Sequence, residues 1–78
     1  HGLMSRLPSL SGKEAVRALG KFGFQQIRQA GSHIVLQKPI PGSTITVVVP
    51  NHPELAKGTL RSIIRKSGLS VDEFVELL

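Results

Sequence analysis

In the middle of the chain, Ile34 and Leu36, then Ile45, Val47 and Val49, recur at every second position. This alternation belongs to strands with one buried face and one open face. His33, Val35 and Gln37 then share the open side of the first run, and Thr44, Thr46 and Val48 that of the second. Pro39-Ile40-Pro41-Gly42-Ser43 cannot continue a central strand, so strands are expected over 33–38 and 44–49 with a turn at 39–43. Phe24 to Ala30 reads as an earlier strand, closed by a tight turn at Gly31-Ser32.

Helical signals flank this β segment. Ser11-Gly12-Lys13-Glu14 has the spacing of a capping box and precedes Ala15, Val16 and Leu19 at helical intervals. Gly20 and Gly23 mark that helix's end. After Pro50-Asn51-His52-Pro53, Thr59 is the expected N-cap of a second helix with Leu60, Ile63 and Ile64 inward and a stop at Gly68. Ser70-Val71-Asp72-Glu73 repeats the capping box and opens a short last helix with Val71, Phe74, Val75 and Leu78 apolar. The expected fold is therefore α+β: a helix, a three-stranded antiparallel meander, a second helix and a short C-terminal helix. Both main helices should cover the apolar face of the sheet, as in a double-stranded-RNA-binding domain.

With 78 residues and no cysteine, this domain must hold by packing, without disulfides or thiolate zinc. His1-Gly2-Leu3 stands before Met4 and reads as the remnant of an expression tag, which leaves a single domain over 4–78. No secretory pattern and no run of about 20 apolar residues is visible, so a soluble cytoplasmic protein is expected, with no membrane partner. Ten Lys and Arg face five Asp and Glu, and three of those acids (Asp72, Glu73 and Glu76) lie in the last helix. The rest of the domain is strongly basic and points to a polyanion, most simply nucleic acid. Lys13, Arg17 and Lys21 form one basic stripe, Arg61 and Arg65 a second, and Arg28 stands on the first strand.

Antiparallel pairing across the 39–43 turn sets residue 38 near 44 and residue 33 near 49. His33 and His52 are then expected at one rim of the sheet, with Gly31 and Ser32 beside them. The loop through Lys57, Gly58 and Thr59 leaves from that rim toward a helix N-terminus suited to a phosphate. This set suits RNA cleavage, because the ribose 2′-hydroxyl is a built-in nucleophile. The protein need supply proton transfer, which imidazole performs near neutral pH, and positive charge, for which Lys57 or a nearby arginine serves. No two-histidine, one-carboxylate set at metal spacing appears, and Ser32 has no triad partners. No metal and no cofactor is expected. From the residues alone, an RNA-binding domain and a histidine ribonuclease both remain open.

The same residues resemble the HicA (YcfA-like) family of bacterial and archaeal toxins. Arg28-Gln29-Ala30-Gly31-Ser32-His33 is similar to the family's Gly-Ser-His turn, and Val49-Pro50-Asn51-His52 to its Pro-x-His. Glu54-Leu55-Ala56-Lys57-Gly58-Thr59-Leu60 and the helix through Ile63 to Gly68 are similar to its Glu-Leu-x-x-Gly-Thr-Leu segment. The resemblance runs from Ser11 to about Leu69. It implies a double-stranded-RNA-binding-like fold, endoribonuclease activity on messenger RNA, and His33 as the catalytic residue. It also implies a HicB-type antitoxin that binds the toxin and blocks the site. Gly31, Ser32, His52, Lys57 and Thr59 are carried over as site neighbours. Lys13, Arg17, Lys21, Arg28, Arg61 and Arg65 are candidates for RNA contact. The proline-rich 39–43 turn and the last helix depart from the commonest family pattern. A monomer or weak dimer is expected.

Two other readings fit the same residues. One is a non-catalytic RNA-binding module of the same fold, although three phenylalanines, Phe22, Phe24 and Phe74, are few for base stacking. The other is a protein-interaction domain whose charge meets an acidic partner.

Overall fold

The computed structural model describes residues 7–78; the segment 1–3 read as a tag remnant, and Met4 read as the start, lie outside the described residues. The elements are α1 (Gly12–Lys21), β1 (Gln25–Ala30), β2 (His33–Ile40), β3 (Ser43–Pro50), α2 (Lys57–Lys66) and α3 (Val71–Glu76). The strands form one antiparallel sheet in the order β1-β2-β3. The architecture is the α+β, double-stranded-RNA-binding-like arrangement expected from the alternation and the two capping boxes.

Both capping boxes form. Ser11 accepts from the Glu14 N–H while Glu14 accepts from the Ser11 N–H, and Ser70 and Glu73 do the same for α3. These reciprocal bonds satisfy donors that a helix start leaves orphaned. The apolar side of the sheet, Ile34, Leu36, Val47 and Val49, is buried with Ala15, Ala18 and Leu19 of α1 and Leu60, Ile63 and Ile64 of α2. Phe74 of α3 is fully buried in the same cluster. Leu7, Leu10 and Leu55 close it from the ends, with the Leu55 N–H donating to the Leu10 carbonyl at 2.7 Å.

Several boundaries differ from the sequence reading. The β2–β3 connection is not the five-residue turn 39–43: Ile40 pairs with Ser43, which leaves only Pro41-Gly42 between the strands. Proline followed by a glycine at φ 73° is the type II turn pattern. Pro39 fits inside β2 because pairing with β1 ends at Gln25↔Gln37, so no partner on that side requires its missing N–H. The tighter turn moves the register by one residue, and His33 lies opposite Pro50 rather than Val49. β1 starts at Gln25, with Phe24 buried just before it. α2 starts at Lys57, not after Thr59; its N-cap is Ala56, which makes no side-chain cap. Leu78 lies beyond α3 and is 47% exposed, so it is not a core position.

Candidate active site

Gly31 has φ 60° and occupies the first of two turn residues between Ala30 and His33. A glycine there is what a tight primed turn requires, because side chains rarely adopt that backbone. The turn delivers His33 to the first position of the central strand, on the open face and exposed to solvent. The Asn51 N–H donates to the Ser32 carbonyl at 2.6 Å, so the end of β3 is latched to the same turn. His33↔Pro50, Val35↔Val48 and Gln37↔Thr46 alternate with the pairs that include the hairpin-closing Ile40↔Ser43. They are thus the non-hydrogen-bonded pairs, where facing side chains come closest. Gln37 bridges to the Thr46 hydroxyl at 3.2 Å across one of them. Arg28 pairs with Val35, so the register puts it on the open face with His33.

An open cleft of about 530 Å³ runs between β3 and α2 with His33 at one end. Pro50, Val48 and Thr46 form its β3 wall. Gly58, Thr59, Ser62 and Lys66 form its α2 wall. Thr59, Ser62 and Lys66 are spaced i, i+3 and i+7, which sets them on one helix face. The adjoining face of α2, Leu60, Ile63 and Ile64, is buried, so packing fixes this wall relative to the sheet. Val48 is 46% exposed at the margin and leaves an apolar patch beside the polar wall.

The structure brings some of the expected residues to His33 and sends others elsewhere. Thr59 shares its cleft, and Gly31 and Ser32 form its turn. His52 instead lines a separate groove with Lys13, Ser11 and Asn51, at the start of α1. The chain turns a corner after Pro50, and the Gly12 N–H holds the His52 carbonyl at 2.9 Å. Lys57 is directed away as well: its ammonium donates to the Leu7 carbonyl at 2.7 Å. Arg17 and Lys21 line a third groove, between α1 and Leu77-Leu78. Arg61 and Arg65 are exposed on α2 but do not line the cleft. Lys66 and Ser62 are the cleft residues that sequence reasoning missed. Their spacing with Thr59 was the available signal, masked by the neighbouring Arg61–Arg65 pair.

The family model described as "HicA toxin of bacterial toxin-antitoxin" matches residues 12–69. The chain belongs to the HicA toxin family. The matched span runs from the first residue of α1 to just past α2, and so contains both walls of the cleft and the His33 turn. As a HicA-family toxin the chain has a cognate antitoxin as its implied partner. No curated relative matches it. Among the described residues no helix is long and apolar enough to cross a membrane, and no three His, Cys, Asp or Glu side chains gather as a metal site.

Proposed function

We propose that this HicA-family toxin is an endoribonuclease that cleaves messenger RNA and so blocks translation, with His33 as its proton-transfer residue and no metal. The observation that carries the reading is the exposed His33 at the end of an open cleft whose other wall presents hydroxyls and a lysine. His33 takes the proton of a ribose 2′-hydroxyl. The 2′-oxygen attacks the adjacent phosphorus and the bond to the 5′-oxygen breaks. The products are a 2′,3′-cyclic phosphate and a 5′-hydroxyl. With His52 in another groove and Lys57 bound to Leu7, the proton for the leaving oxygen comes from water, which the open cleft admits.

The basic body of the domain holds the substrate electrostatically. Arg28 is best placed on the open face, with Lys13, Arg17, Lys21, Arg61 and Arg65 as peripheral contacts to the RNA backbone. A platform for stacked bases is not part of this reading. Phe24 and Phe74 are buried, and Phe22 stacks on Phe24 under the Lys38 ammonium. A HicB-type antitoxin silences the toxin by covering the His33 cleft. The toxin acts in the cytoplasm, where translated messages are, as a monomer or weak dimer.

Induced expression in a bacterial host tests the proposal. The wild-type chain should arrest growth and fragment messenger RNA, and folded His33→Ala should do neither. Equal toxicity and equal fragmentation from the two would remove His33 from the chemistry.

A further inference from the structure

Cleavage through a pentacoordinate phosphorane places extra negative charge on the two non-bridging phosphate oxygens, and a nearby fixed cation lowers that barrier. We infer that Lys66 is this cation, on a phosphate subsite that Thr59 and Ser62 complete along α2. The inference rests on the reading that RNA is cleaved at His33, and deepens it by naming the groups that hold the scissile phosphate.

Three observations single out Lys66. It lines the cleft that holds His33. The competing lysine, Lys57, is the lysine whose ammonium a hydrogen bond holds among the described residues, and its acceptor, the Leu7 carbonyl, lies outside the cleft lining. Arg61 and Arg65 are exposed on α2, and neither lines the cleft. Thr59 and Ser62 stand on the same α2 face as Lys66, two turns and one turn nearer the helix start respectively. Their hydroxyls can donate to phosphate oxygens while the ammonium supplies charge. Opposite them, the peptide groups of Thr46 and Val48 belong to the side of β3 that β2 does not pair, so this wall of the cleft is also polar. The α2 wall is rigid because Leu60, Ile63 and Ile64 are buried beneath it. The groups therefore need little reorganisation when charge develops.

Lys66 also sits in the last turn of α2, where a cation favours the helix dipole whatever else it does. That role would alter stability and leave the chemical step unchanged. Single-turnover cleavage of a defined RNA, with RNA affinity and melting temperature measured alongside, separates the two roles. Lys66→Met should slow the cleavage step by about a hundredfold, the scale of one lost transition-state contact. Its RNA affinity should fall less than about tenfold, the share expected of one charged contact among several. Lys66→Arg should recover most of the rate, and Lys57→Met should cleave within about threefold of wild type, since its ammonium points elsewhere. If Lys66→Met cleaves at the wild-type rate while His33→Ala is inactive, Lys66 is not the cation and the His33 reading stands. A loss confined to affinity also overturns the assignment. If the wild-type protein cleaves no RNA, the reading beneath the inference has failed and the inference falls with it.

Discussion

Gly12 and Gly20 lie in the same helix, and alanine at the two positions should move stability in opposite directions. A Cβ on Gly12 would run into the Pro50 carbonyl oxygen and stand 3.0 Å from both the Pro50 carbonyl carbon and the Asn51 Cα. All three obstacles are backbone, so no side chain can swing aside. The helix start must back away from the 50–52 loop, which lengthens the 2.9 Å bond from the Gly12 N–H to the His52 carbonyl. Overpacking costs about 1–3 kcal/mol and the weakened bond about 0.5–1.5 kcal/mol, against a gain near 1 kcal/mol from alanine's helix preference. The net is about 2 kcal/mol of destabilisation, or roughly 10–15 °C in Tm for a domain of this size. Gly20 has open space where a Cβ would go and no positive φ. Gly20→Ala should therefore stabilise by about 0.5–1 kcal/mol, close to the intrinsic preference. Thermal melts followed by circular dichroism at 222 nm, repeated with urea, read both effects. Gly12→Ala at or above wild-type stability would refute the argument that close packing, not helix propensity, governs this position.

Phe74→Ala should cost about 3–5 kcal/mol in urea unfolding, since α3 seals the core with this fully buried ring; a loss below 1 kcal/mol would mean that α3 is peripheral. Lys57→Met should lower the unfolding free energy by about 1–2 kcal/mol through the lost charge-assisted bond to Leu7, and unchanged stability would show that bond to be inconsequential.

Where local chemistry fixes a boundary, the sequence reveals it. Ser11-Glu14 and Ser70-Glu73 mark two helix starts because each side chain answers a specific backbone donor. The start of α2 was hidden for the converse reason. Ala56 offers no side-chain cap, so Thr59, the first hydroxyl in the segment, looked like the boundary although it lies inside the helix. Pro39 looked like a strand breaker, yet it is harmless where β2 has outrun β1. That single turn also misplaced the register by one residue. His33 was legible because a strand that starts directly after a glycine turn exposes its first side chain. The association with His52 expected from the spacing does not form, because the latch from Gly12 to the His52 carbonyl turns that residue into the Lys13 groove. Lys66 emerged only once the α2 start and its cleft-facing side were known. The order of elements is a local property of the chain, whereas the choice of wall residues depends on how α2 docks against β3.

The most direct test of the account uses two RNAs that differ in one oxygen. After the cleavage site in a defined RNA is mapped, a matched strand is made with a single 2′-deoxy nucleotide on the 5′ side of the scissile phosphate. The account predicts that the all-ribose strand is cut in the presence of EDTA to give a 2′,3′-cyclic phosphate, and that the deoxy strand binds but stays intact at that site. Cleavage of the deoxy strand at a comparable rate would show that the attacking oxygen comes from elsewhere, and the role assigned to His33 would be wrong.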